Sequence, residues 1–499
     1  MNLLFGCKLI FIALIGVISC FIGYFTIHLY FKKKKYSHIP GPKPSGLLGF
    51  YFGNLGEALD NIKNNKMFPF YIQECFEKYG PIFKLQLFDR VVIYSVEPNV
   101  VKFGLENFPK YSKIYKKIAY PFNKRFLGES LITQTENQKW QKDRDIFHHA
   151  FSIKRLKDYT SDFDDVASRL IDRFRTLDME YNSINLRVEI SNTIIEIIAK
   201  VAFGMELDCI NNLDNEFQKN FQIILESINE SFKNPFIRFK SHAKFFKAIE
   251  FIRQTGRVEI LKRINSIKDE DYVPHDILSI SLANNPNVDE IDIEKIIDHF
   301  VSFFIAGIET TTNALTFLFY ELSRNLHVFN KVRNEIDEKI GSKPKLTYED
   351  LENLDYIDCV FKETLRLWPV VPSINRITNK DIEIGRFKIP RETEISFSTF
   401  CAHRNSKYYS KPLDFVPERF EFDPITQKNS IHPNTYFPFS IGYRNCIGQH
   451  FAKLDSKMIV TKIIQNFDII FDKNQSSDVD YALNLDLKHG LWCKLKIKS

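Results

Sequence analysis

Asp289 to Arg324 is a run of 36 residues without a proline and with one glycine, Gly307. As a single helix it would reach roughly 50 Å at about 1.5 Å per residue, enough to thread a whole domain. A rod of that length dictates the architecture, because the rest of the chain must pack around it. Most of the remaining sequence also has helical periodicity. Strand signals are few and local. IFKLQLFDRVVIYSV, from Ile82, reads as a hairpin turning at Asp89-Arg90. DIEIGRFKIPRETEISFST reads as a second hairpin turning near Gly385 and again before Glu392, and LWCKLKI as a strand near the carboxyl end. The expected class is mainly α with small β-sheets, an α+β chain. There is no repeat of fixed period, and no composition shift marks a linker after residue 50.

Leu9 to Phe31 is apolar in a different way: 23 residues with no Asp, Glu, Lys or Arg. Its helical length of roughly 35 Å exceeds a bilayer core of about 30 Å. Lys32 to Lys35 follow at once, where a cleaved signal would show a small-residue site instead. Positive-inside logic puts the lysines and all that follows on the cytosolic side. HIPGPKPSG comes next, and Pro40, Pro42 and Pro44 make it a stiff extended spacer. The expected organisation is an anchor over 1–35 with its spanning helix at 9–31, a proline-rich hinge over 36–46 and one catalytic body over 47–499. The 47 phenylalanines can fill a large core. Net charge is +6, and four of those charges are the lysine cluster, so nothing suggests a nucleic-acid partner. Eight cysteines, at 7, 20, 75, 209, 359, 401, 446 and 493, show no paired spacing and no CxxC, as free cytosolic thiols would. The Asn229-Glu230-Ser231 acceptor sequence does not meet the glycosylation machinery on that side.

Chemistry concentrates in FPFSIGYRNCIGQHF, residues 437–451. Cys446 lies between Gly442 and Gly448, with Arg444 beside it and Phe439 upstream. Glycines let backbone approach a bulky group, and arginine supplies a charge for an anion. An apolar-periodic run follows (Phe451, Ala452, Leu454, Met458), so the cysteine precedes a helix amino end, whose dipole and free N–H donors favour a thiolate. The arrangement is a socket for something flat and acidic that touches sulfur. In this pattern the chain resembles the cytochrome P-450 family of haem-thiolate monooxygenases. The resemblance implies the family's fold with an N-terminal transmembrane helix, haem b as cofactor, and O2 as co-substrate. It implies Cys446 as the axial ligand of the haem iron, the metal site, with Phe439 shielding the sulfur and Arg444 meeting a haem propionate. A thiolate ligand pushes electron density that favours O–O cleavage.

Other motifs follow in the family's order. In AGIETT, residues 306–311, Ala306 and Gly307 lack bulk, so a flat group could lie against that face. Thr310 can return its hydroxyl to a carbonyl one turn back, bending or opening the helix, and a Glu–Thr pair can relay protons. The resemblance makes Glu309 and Thr310 the acid–alcohol pair that serves oxygen activation. Glu363 and Arg366 share a helix face, and such a pair on a surface is worth little. The family instead buries this pair with a later arginine, here Arg419 of PERF, as a structural network. Trp140 and Arg144 share a face and, with Arg376, stand where the family binds propionates. The pocket is expected along Phe303, Phe304, Ala306, Val370, Val371 and Ile374, with the segment before Trp140 and the tail at Asn484-Leu485. These residues suit a lipophilic substrate reaching the protein through the membrane.

Stretches such as IIAKVAFGM and TYFPFSIGYRNCIGQHFAK look most like the cholesterol 24-hydroxylase branch, which implies sterol side-chain hydroxylation. Fatty-acid or xenobiotic hydroxylation is the alternative. A haem-thiolate isomerase or a haem sensor would share the Cys446 socket without needing Thr310. No Gly-x-Gly-x-x-Gly follows a predicted strand, so the electrons must come from elsewhere. The expected partners are an NADPH-dependent flavoprotein reductase and cytochrome b5, at an endoplasmic reticulum membrane crossed once. Lys453 and Lys457 are candidate docking lysines on the cysteine side.

Overall fold

The long helix runs from Ile293 to Arg324 in the computed structural model, which describes residues 2–44, 46–63, 67–109, 124–177, 183–233, 242–283, 292–422 and 429–498. Residues 289–291, where the sequence suggested it begins, lie outside the described set. Asp292 sets the start: its side chain accepts from the Lys295 N–H at 3.1 Å, satisfying a donor that a helix amino end leaves open. A helix apolar nearly all round must be buried or span a membrane. Here 78% of the apolar window is buried, so this helix is core. The helix Leu186–Phe203 lies against it, and a Cβ on Gly307 would stand 2.5 Å from Ile198 Cδ1. The missing side chain at Gly307 therefore makes room for a neighbouring helix. Phe304 turns into a ring cluster, with centroids 4.8 Å from Phe217, 5.0 Å from Phe300 and 5.5 Å from Phe203.

A buried charge fixes the early part of the same helix. Asp298 accepts from Arg125 at 2.7 Å, from Arg253 at 2.8 Å and from the Glu129 N–H at 2.8 Å. Gly128, at φ +46°, lets the loop close over this carboxylate, since a Cβ would overlap its oxygens. Two small sheets complete this part of the chain. Trp492–Ile497 pairs antiparallel with Phe467–Phe471 and with Ile184–Asn185, and Val479–Tyr481 pairs with Leu485–Leu487.

Internal contacts divide the chain into two compact units, Met1–Pro109 with Ser373–Cys401, and Lys110–Pro372 with Ala402–Ser499. The elements above all belong to the second. The first is built on a sheet in which Ile82–Leu87 pairs antiparallel with Arg90–Ser95, which runs parallel to Glu394–Phe397, which pairs antiparallel with Ile374–Ile377. The first hairpin turns at Phe88-Asp89, and the second, Ile382–Ile384 with Phe387–Ile389, turns at Gly385. A helix spans Asn2–Lys35. Within Ala13–Lys35 the most apolar stretch of 18 residues has a mean hydropathy of 1.8 and is 6% buried, with Val17, Phe21 and Tyr24 exposed, so it is a candidate membrane anchor.

Candidate active site

Cys446 sits just ahead of the helix Gln449–Asn466, which Gly448 caps. Its N–H donates to the Phe439 carbonyl at 2.9 Å, closing the loop. Gly442 holds φ +78°, a left-handed value that glycine adopts without steric cost. Cys446 is an exposed residue, whereas Cys209, Cys359 and Cys493 in the same unit are buried. Burial of the loop pushes the thiol pKa up, against a Gly448 N–H and the Arg144 charge that pull it down. The net direction is upward. Helix end and guanidinium thus act in the direction the sequence suggested, against desolvation.

Arg144 grips this loop, donating to the Asn445 carbonyl and to its Oδ1, each at 2.9 Å. Arg444 donates to the Gln134 carbonyl at 2.8 Å and to Asn137 Oδ1 at 2.6 Å, and its guanidinium lies 4.0 Å from the Trp140 ring centroid. Trp140 is buried and meets Tyr443 edge-on. One helix, Asn137–Ala150, thus carries Trp140 and Arg144 to the cysteine loop and Phe147 to Phe303 of the long helix, at 5.0 Å between centroids. Arg376 is buried in the Ile374–Ile377 strand of the first unit.

On the long helix an open stripe interrupts the burial. Ala306 is exposed and Gly307 and Thr310 are half-buried, while Ile305, Ile308 and Glu309 are buried. Positions 306, 307 and 310 share one helix face. Thr310 Oγ1 donates to the Ala306 carbonyl, and the helix stays continuous through that bond. Glu309 does not bond Thr310. Its Oε1 accepts from Asn229 at 3.4 Å and its Oε2 from Asn484 at 3.1 Å. Burial raises its pKa, with Asn229, Arg187 and Asn484 pulling the other way. Among the residues expected to line a pocket, Val371 is exposed and Phe303 half-buried, whereas Phe304, Val370 and Leu485 are buried. Leu485 serves through its backbone, donating to the Val370 carbonyl at 2.9 Å and accepting from Asn313 at 3.0 Å. Ile374 belongs to the sheet of the first unit.

Glu363 and Arg366 are fully buried. Arg366 donates to both Glu363 oxygens, at 2.7 and 2.9 Å, and Arg419 reaches Oε1 at 3.3 Å. The arginines then bind carbonyls of the segment leading to the cysteine loop: His403, Pro412 and Asp414 by Arg366, Lys411 by Arg419. His403 in turn accepts the Phe437 N–H at 3.0 Å. Behind the loop lies a hollow of about 330 Å³ lined by Phe439, Gly442, Asn445, Lys362 and Lys453. Lys453 and Lys362 pair with Asp358 at 2.8 and 2.7 Å. Lys457 is no surface lysine: it is buried, donates to the Leu351 carbonyl at 2.9 Å, and burial lowers its pKa.

The sequence profile described as cytochrome P-450 matches residues 42–487. The chain belongs to the cytochrome P-450 family. Cytochrome P-450 3A12 of Canis lupus familiaris is 29% identical over 457 residues, covering 86% of this chain and 85% of the relative. Cytochrome P-450 3A18 of Rattus norvegicus is 27% identical, over 89% of this chain and 90% of its own length. Cytochrome P-450 4d2 of Drosophila melanogaster is also 27% identical, over 87% and 88%. The protein is thus a monooxygenase that carries haem b, uses O2, and takes electrons from a reductase.

The residues present fit haem b. An exposed cysteine, two guanidinium groups within reach of its loop, and a helix face stripped to Ala306 offer a ligand, charge for acidic groups and space for a plane. Cys446 would hold the iron and Arg144 and Arg444 the propionates. Haem bound through sulfur supplies the O–O cleavage chemistry. Sequence reasoning missed Asn229 and Asn484 as partners of Glu309, and Arg187, which binds Asp486 at 2.8 Å beside them. The only signal was indirect: Asn484 fell in a tail expected near the pocket.

Proposed function

We propose that this cytochrome P-450 hydroxylates a lipophilic substrate that partitions into the membrane holding its anchor, with a sterol side chain as the substrate class. The observation that carries the reading is Cys446 in its glycine-shaped loop, alone among the cysteines of its unit in being an exposed residue. Arg144, Arg444 and Trp140 hold the propionates, Phe439 shields the sulfur, and Glu309 with Thr310 manages protons. Apolar Phe303 and Val371 favour an apolar substrate. The relatives named above are of the 3A and 4d groups, so the sterol class rests on sequence resemblance. An NADPH-dependent flavoprotein reductase, aided by cytochrome b5, delivers electrons at the face near Lys362 and Lys453. The setting is the endoplasmic reticulum membrane, crossed once, with the chain after Lys35 cytosolic.

Reduced protein exposed to carbon monoxide should show the red-displaced Soret band of a thiolate complex, and Cys446→Ser should lose it. Thr310→Ala should divert electrons, so that O2, NADPH and a proton leave as hydrogen peroxide and NADP+. A spin-shift titration with cholesterol, a fatty acid and a bulky drug tests the substrate class. Silence toward the sterol with a clear response to another ligand ends the sterol reading.

A further inference from the structure

Glu309 is gripped from two directions by neutral donors. Asn229 comes from the helix Glu216–Lys233 and Asn484 from the turn between the strands Val479–Tyr481 and Leu485–Leu487. One amide takes each carboxyl oxygen, and neither oxygen bonds Thr310, whose hydroxyl is committed to the Ala306 carbonyl. The turn is itself pinned. Asn313, one helical turn along from Glu309, binds the Leu485 carbonyl, and Arg187 binds both Asn313 and Asp486. Asn484 is therefore the fixed hand of the grip and Asn229, at 3.4 Å on a separate helix, the weaker one.

We propose that Asn229 and Asn484 are positioning residues that clamp the Glu309 carboxyl away from Thr310, so that proton transfer between the pair requires one amide to release it. This rests on the reading of Glu309 and Thr310 as the proton-handling pair. The charged groups facing the carboxyl are Arg187, from the helix Leu186–Phe203, and Asp486, from the adjoining strand. Arg187 and the two amides favour the ionised form, while burial and Asp486 oppose it. Removing an amide donor must then let the carboxyl hold its proton to higher pH.

Infrared titration of the full-length haem-loaded protein isolates the Glu309 carboxyl by subtracting the Glu309→Gln spectrum. Asn484→Leu and Asn229→Leu should each raise its midpoint by roughly one pH unit, the scale of a hydrogen bond to a charged group. Asn484→Ser, which keeps a donor, should restore part of the shift. Unmoved midpoints in both leucine variants overturn the clamp. The carbon monoxide spectrum of the same samples separates the two ideas: a normal band with unmoved midpoints refutes the clamp alone, and a missing band in the unmodified protein refutes the haem-thiolate reading. Should Asn484→Leu fail to fold, Asn229→Leu alone decides.

Discussion

Arg366, Glu363 and Arg419 form a buried ion triad. Such a group is weak evidence for net stability, because desolvating the charges offsets their attraction. Breaking it is another matter. Glu363→Ala would leave two buried guanidinium groups facing carbonyls alone, and should lower stability by about 3–5 kcal/mol, read as a fall in the urea midpoint. Arg366→Met with Glu363→Leu, which removes the pair together, should cost less than either single change; equal costs would refute the buried-charge argument. The neighbouring His403 makes a pH prediction. Burial, then Arg366, lowers its pKa to about 3, against a usual value near 6.5. Between those values the unfolded chain binds a proton that the folded chain refuses, so stability falls as pH falls through that window. At pH 5 the loss from this one group is roughly 2 kcal/mol. Unfolding measured at pH 7, 6 and 5 should steepen in the unmodified protein relative to His403→Gln. Parallel curves would place the proton elsewhere.

The long helix was legible because proline-free periodicity over dozens of residues has few other outcomes, and the hairpins because Asp89 and Gly385 punctuate alternating runs. Contacts between elements were not legible. Glu309 lies 80 residues from Asn229 and 175 from Asn484, so no local pattern announces the clamp. Lys457 looked like a surface lysine because a helix wheel cannot say which face a distant carbonyl approaches. Gly307 is the sharpest case. Its lack of bulk reads as space for a flat cofactor, yet Ile198 of another helix fills the space beside it. Alanine at a helix interior gains about 1 kcal/mol over glycine, while overpacking costs about 1–3 kcal/mol. Gly307→Ala should therefore be neutral to mildly destabilising. Ile198→Val removes the Cδ1 that clashes, and Gly307→Ala made in that background should turn stabilising. A double-mutant cycle on thermal unfolding reads the coupling, and strict additivity would mean the helices part freely at this point.

Among the described residues two helices are long and apolar enough to cross a bilayer, and what separates them is what covers them: Ile293–Arg324 is wrapped in protein, Ala13–Lys35 is not. Composition made both visible, the lysines at 32–35 marked one as the anchor, and packing agrees. The proposed orientation follows from charge, since Lys32 to Lys35 resist crossing at the end of the apolar run. The chain carries its own reporters of orientation in two glycan acceptor sequences, Asn229-Glu230-Ser231 and Asn474-Gln475-Ser476. Held on the cytosolic side, neither is modified. Replacing all four lysines with glutamine removes the charge bias without shortening the apolar run, so a fraction of chains should insert the other way round. That fraction should resist protease added outside sealed microsomes and carry glycans removable by endoglycosidase. The unmodified protein should be fully digested and bear none. Glycosylation of the unmodified chain would reverse the orientation and put the catalytic body beyond the reach of a cytosolic reductase.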